Sequence, residues 1–257
     1  MLLAVDIGNA RIGLGVFDEQ GELKMQGKIT AVKSKSSDEY AVLLHGILNL
    51  NGFKKEDITD CIIASVVPPL TVLIKESVRK LFGINSLEVA SGIKTGLNIR
   101  IDNQTQLGAD IVANSVAALE ICKTPLVIVD IGTATTFTVI DENSVLQGVI
   151  ITAGLKMALE ALSAGASELP DVSLSEPKRI IAKNSKEAMN VGALYGHGFM
   201  IDGFLDKIKV ELGVEAMNVV VTGGLAPLVL PYCENEMEHH PNLTFQGLRS
   251  IYLKNKK

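Results

Sequence analysis

An unbroken apolar run, Leu3-Ala4-Val5, ends in Asp6-Ile7-Gly8, and 124 residues later Val127-Ile128-Val129 ends in Asp130-Ile131-Gly132. Continuous apolar runs bounded by turn residues predict buried strands. Each copy is followed by an alternating stretch, Ile12 to Phe17 and Thr135 to Ile140, and then by a further short apolar run, so both halves open as a three-strand meander. Helix-like sequence follows in each, and the chain returns to a buried strand at Cys61 to Val67 and again at Val219 to Thr222. One β-β-β-α-β order, repeated at about half the chain length, predicts a duplicated α/β unit. The boundary is expected between residues 114 and 124, giving an N-terminal lobe 1–117 and a C-terminal lobe 118–257.

Between these strands, Tyr40 to Leu50 is amphipathic and follows a polar connection at 30–39. Val112, Val116 and Leu119 repeat at helical spacing and place Asp110 at a helix start. Residues 167–184, with Pro170 and Pro177, read as an exposed loop that could border a substrate site. Val191, Leu194, Phe199 and Ile201 mark one buried helix face, a candidate dimer contact, and His197 between two glycines reads as a helix-packing residue.

Composition narrows the partners. At 257 residues the chain has the length at which one core divides into two. Its 47% hydrophobic and 21% charged residues, with 23 glycines, suit a globular α/β protein. A formal charge of -5 argues against nucleic acid, and Lys254, Lys256 and Lys257 read as a solvated terminus. No apolar run approaches the roughly 18 residues of a membrane span. The chain reaches Asp6 without a basic leader, so a cytoplasmic location is expected. Cys61, Cys122 and Cys233 lack disulfide or zinc spacing, and the four histidines form no ligand set.

Four segments carry candidate chemistry. Asp6-Ile7-Gly8-Asn9 places a carboxylate at a strand end, where it can hold hydrated Mg²⁺ against phosphate, or simply form a tight turn. Asp130-Ile131-Gly132-Thr133-Ala134-Thr135-Thr136 offers a second carboxylate and three hydroxyls, though threonine also favours strands. Gly223-Gly224 can admit a nucleobase or ribose against the backbone, or serve as a strand-to-helix turn. Gly108-Ala109-Asp110 puts an acid at a helix start, as a proton acceptor or as a cap. No Walker-type loop is present, and Gly13-Leu14-Gly15 lacks dinucleotide-loop spacing.

Together with Ser65-Val66-Val67-Pro68-Pro69-Leu70 and Thr222-Gly223-Gly224-Leu225-Ala226, these segments resemble the type III pantothenate kinase family over nearly the whole chain. The resemblance implies a duplicated ribonuclease-H-like (actin-like ATPase) fold, two lobes with a nucleotide cleft between them, usually a homodimer. It implies transfer of the ATP γ-phosphoryl group to the primary hydroxyl of pantothenate, opening coenzyme A synthesis. By it, Asp110 is the general base and Asp6, Ile7, Gly8, Asn9, Ala10, Arg11, Ile12 and Gly13 form the first phosphate loop, with Asp6 reaching Mg²⁺ through water. Thr133, Gly223 and Gly224 contact ATP, and Asp130 holds a monovalent cation, K⁺ or NH₄⁺. Gly108, Ala109, Asp110, Ile111 and Ser185 face pantothenate. Three positions depart from the family pattern: Ala10 replaces a threonine, Ile111 replaces an arginine, and Ala153 precedes Gly154 where the family carries proline. Arg11 or Lys156 could restore the missing positive charge. The departures leave two alternatives, another small hydroxyl acceptor or a nucleotide-binding homologue with a regulatory role.

Overall fold

A computed structural model describes residues 1–256. The chain forms two compact units. The first takes Met1–Leu97, Asp102–Glu120 and the segment from Asn242 onward; the second takes Asn98–Ile101 and Ile121–Pro241.

In the first unit, strands β1 (Leu2–Ile7), β2 (Arg11–Phe17) and β3 (Leu23–Thr30) form the predicted meander, followed by helix α1 (Ser37–Leu50), β4 (Asp60–Ser65), α2 (Pro68–Phe82) and a short β5 (Leu87–Glu88). The sheet order is β3-β2-β1-β4-β5, with β1 antiparallel to β2 and parallel to β4. Helix α1 starts three residues before the amphipathic run because Ser36 and Glu39 close a reciprocal capping box. The Pro68-Pro69 pair opens α2, where proline costs no intrahelical bond.

Alternate β1 residues face opposite cores. Leu3, Val5 and Ile7 pack on Tyr40, Leu44 and Leu48 of α1 and on Leu70, Ile74 and Val78 of α2. Leu2 and Ala4 meet helix α3 (Ala109–Ile121) through Ala109, Ala113 and Val116, and helix α7 (Leu243–Asn255) through Leu248, Ile251 and Tyr252. Burial on both faces is why the strand reads as an unbroken apolar run. Each large apolar side chain so buried contributes about 1.5–3 kcal/mol.

The second unit adds β6 (Asn98–Ile99), β7 (Leu126–Ile131), β8 (Ala134–Ile140), β9 (Val145–Ala153), α4 (Leu155–Gly165), α5 (Ser185–Leu212), β10 (Asn218–Thr222), α6 (Ala226–Val229) and β11 (Glu238–His239). Its sheet runs β11-β10-β7-β8-β9-β6. Leaving aside the edge strand β6, this is the first sheet's order repeated: β7 is antiparallel to β8 and parallel to β10, as β1 is to β2 and β4. The hairpin registers differ by one residue, since Asp6 pairs with Gly13, seven positions on, and Asp130 with Thr136, six positions on.

Three expectations need correction. The division into 1–117 and 118–257 differs from the observed units, because the apolar face of α7 is buried on β1 and β4 and returns the C-terminus to the first unit, while Asn98–Ile101 joins the second sheet. Phe199 is 51% exposed, whereas Leu194, Ile201, Leu205 and Ile208 are buried. Five residues beyond Leu194, Phe199 is rotated about 140° off that face. Lys254 is not merely solvated: it pairs with Glu120 at 3.0 Å, and Lys256 lies 5.5 Å over the Tyr252 ring. Lys257 lies outside the described residues. Among the described residues no helix is long and apolar enough to cross a membrane.

Candidate functional site

Strand β1 delivers Asp6 to its C-terminal end, and the turn beyond is closed by the Gly8 N–H donating to the Arg11 carbonyl at 2.9 Å. Within the predicted phosphate loop, Asn9, Ala10 and Arg11 are exposed. Ile7 and Ile12 bury their side chains completely in the α1/α2 core, so they can offer a ligand only backbone. Gly13 has a different use. A side chain there would meet the Phe245 ring at 3.1 Å, and one at Gly15 would meet it at 3.0 Å. The Gly-x-Gly pair is space for an aromatic residue of α7.

Asp6 continues the Leu2–Ala4 parity of β1, so its side chain lies on the face covered by α3. The first turn of that helix carries Asp110. Burial pushes the Asp110 carboxyl above the usual carboxylate range, and the Ile111 N–H, donating to Oδ1 at 2.8 Å, only partly offsets this. Gly108 makes room for it: a Cβ at Gly108 would collide with Asp110 Oδ1. Ala109 and Ile111 are both 8% exposed, so within the Gly108–Ile111 segment of the expected substrate-facing set, Asp110 supplies the polar side chain. At Ile111, where the resemblance expects arginine, the chain has a buried apolar side chain.

In the second unit the Asp130 hairpin is closed by the Gly132 N–H donating to the Ala134 carbonyl at 3.0 Å. Thr133 is exposed at its tip. Gly154, the N-cap of α4, packs directly on the Thr133 carbonyl, with its N–H donating at 3.1 Å; any side chain at Gly154 would overlap that oxygen. Thr135 is buried and its hydroxyl lies 2.8 Å from His197 Nε2 on α5. Burial holds that imidazole below its ordinary pKa.

The two glycines after β10 divide their work. Gly223 has φ +97°, and a Cβ there would sit 2.5 Å from the Ile131 N and 2.6 Å from Asp130 Oδ1. The chain's own backbone therefore explains Gly223. Gly224 is exposed and faces open space. Ser185 opens α5 beside its cap Asn184, which accepts from the Glu187 N–H at 2.9 Å. Ser185 lines a cavity of about 510 Å³ whose walls include Leu159, Leu162, Leu169, Met189 and Gly192.

Among the described residues no group of three or more histidine, cysteine or acidic side chains converges. The carboxylates present fit Mg²⁺, which binds through one or two of them and takes its other ligands from water and phosphate. Sequence reasoning missed the C-terminal helix altogether. Leu243, Leu248, Ile251 and Tyr252 recur at helical spacing and could have revealed the helix, and the Gly13 and Gly15 pair could have revealed that strand β2 has a close neighbour.

A family model for type III pantothenate kinases matches residues 2–207. A type III pantothenate kinase of Citrifermentans bemidjiense is 41% identical over 256 residues, covering all of both chains. One from Geotalea uraniireducens is 40% identical over 257 residues, again covering both completely. Among solved structures, an acetate kinase of Porphyromonas gingivalis superposes with a TM-score of 0.57 at 12% identity, covering 99% of each chain, and shares the fold. With this two-sheet actin-like fold and full-length similarity, the chain belongs to the type III pantothenate kinase family, which phosphorylates pantothenate in coenzyme A biosynthesis.

Proposed function

We propose that Asp110 is the general base of this kinase. The observation that carries the assignment is its half-buried carboxyl, seated in the space left by Gly108, with burial raising its pKa. A carboxylate poised above its ordinary range takes a proton more readily, a role worth about 10²–10⁴ in rate. Asp110 accepts the proton of the pantothenate primary hydroxyl as that oxygen bonds to the γ-phosphorus of ATP. The bond from the γ-phosphorus to the ADP oxygen breaks, and ADP leaves. Mg²⁺, when bound, neutralises charge developing on the phosphate oxygens. Asp6 would hold it through water, Asn9 and the backbone of Gly8 to Gly13 would border the phosphates, and Thr133 and Gly224 would contact ATP. Asp130 binds K⁺ or NH₄⁺, Ser185 contacts pantothenate, and the enzyme works as a cytoplasmic homodimer.

The test is mass-spectrometric detection of 4′-phosphopantothenate from the purified chain with pantothenate, MgATP and K⁺, beside Asp110→Asn. Product from wild type alone is expected, with the acid limb of kcat lying above the ordinary carboxylate range. Ionising Asp110 costs stability as pH rises through its raised pKa, so Asp110→Asn should melt at or above wild type at pH 7. Full activity in Asp110→Asn would remove the base assignment.

Ile111 favours a second reading, an acceptor lacking a carboxylate. Pantothenyl alcohol compared with pantothenate decides it. Equal kcat/KM for both would show that the carboxylate is not recognised.

A further inference from the structure

We propose that the C-terminal helix α7 is a positioning element for catalysis: Thr244 and Gly247 fix the first turns of α3 and thereby the Asp110 carboxyl. The inference rests on Asp110 being the base. Helices α7 and α3 run alongside each other in the same direction, Thr244 meeting Asn114 and Ser250 meeting Glu120. Their backbones come closest where Gly247 crosses Ala113, since a Cβ at Gly247 would overlap the Ala113 carbonyl. Ala113 lies three residues from Asp110. One residue further, the Thr244 hydroxyl donates to Asn114 Oδ1 at 2.7 Å, and Asn114 is 2% exposed. The tightest contact and a partly buried directional bond thus both fall within about one turn of the base.

Helix α7 is itself held to the strand of the Asp6 hairpin. Phe245 fills the space over Gly13 and Gly15, and Leu248 and Ile251 pack in the core that contains Leu2 and Ala4. One helix therefore touches β2, which pairs with β1 at Asp6, and α3, which carries Asp110. Apolar packing alone tolerates small slides and rotations between helices. The threonine bond and the glycine crossing remove that freedom at the end of α3 where the chemistry lies. The other polar links of this pair, Ser250 to Glu120 at 2.6 Å and Lys254 to Glu120 at 3.0 Å, lie ten residues along α3 from Asp110, about 15 Å away.

Those two ends supply the experiment. Thr244→Val removes the hydroxyl and keeps the shape, Thr244→Ser restores the hydroxyl, and Ser250→Ala removes the equivalent bond at the far end. For each we would measure kcat, both KM values and the melting temperature, with Asp110→Asn alongside. Thr244→Val should lower kcat about tenfold with both KM values within about twofold of wild type, because a small displacement of a reacting group is felt in turnover. Thr244→Ser should recover kcat. Ser250→Ala should melt as low as Thr244→Val yet keep kcat within about twofold of wild type. Equal loss of kcat in Thr244→Val and Ser250→Ala, or none in Thr244→Val while Asp110→Asn is inactive, would overturn the positioning role alone. Turnover retained by Asp110→Asn would overturn the base assignment and this inference with it.

Discussion

The two Asp-Ile-Gly hairpins share a strand order, yet they are backed differently. In the first, the positions paired with Asp6 and Ala4 are Gly13 and Gly15, and an aromatic ring from α7 fills their space. In the second, the positions paired with Asp130 and Ile128 are Thr136 and Thr138. The turns differ as well: Ile7 pairs with Ile12, but Ile131 pairs with Thr135, so the second turn is one residue shorter. Beyond the fourth strand, the first unit continues through Ser65-Val66-Val67 into α2, whereas the second passes through Gly223-Gly224 into α6. Duplication supplied one scaffold twice, and the parts differ where ligands would differ. Asp110, the proposed base, lies in the first unit, where α3 covers the Asp6 face. The second unit offers an exposed threonine and an open glycine.

The comparison breaks most directly at its two carboxylates. Asp6→Asn should lower kcat on the order of 10³-fold at saturating MgATP, the scale on which removing a charge-stabilising group acts. Asp130→Asn should cost about tenfold and abolish the response to added K⁺. Steady-state rates with and without K⁺ read both. Equal losses, both insensitive to K⁺, would mean that the hairpins are functionally equivalent.

The adjacent glycines sharpen it next. Gly223→Ala forces a side chain into a positive-φ position already occupied by Ile131 and Asp130, and should destabilise the protein by about 1–3 kcal/mol or more. Gly224→Ala enters open space and should leave the melting temperature unchanged while raising the KM for ATP. If instead Gly224→Ala left that KM unaltered, the nucleotide does not approach the second glycine.

The sheets and their duplication were legible because strands buried on both faces keep apolar runs that survive divergence, as at Leu3 to Val5 and Val127 to Val129. Asp6 and Asp130 were legible because each follows such a run, and Asp110 because it stands at a helix start. What could not be read was any effect that depends on a distant segment. Nothing near Gly13 announces Phe245, 232 positions away, and nothing in Asn114 announces Thr244. The return of α7 to the first unit is a tertiary choice between two sheets of the same topology, and local periodicity carries no information about which is taken. Ile111 was visible as a departure from the family, but only its burial shows that the side chain is turned into the protein.

The smallest expected effect separates the hairpins by pH. The first is backed by Phe245, which does not titrate, while Thr135 of the second lies against the His197 imidazole. Burial lowers the pKa of His197 in the folded protein, so the unfolded chain binds the proton more tightly. Its contribution to stability is therefore complete above the ordinary histidine value and declines as pH falls from there toward the lowered folded value. Melting curves for wild type and His197→Gln between pH 7.5 and 5.5 read it directly. The variant should be less stable at pH 7.5 but should lose less on acidification, because glutamine can retain a hydrogen bond to Thr135 without taking up a proton. Parallel pH slopes would mean that the imidazole is as easily protonated in the fold as out of it, and that the second hairpin is no more sensitive to acid than the first.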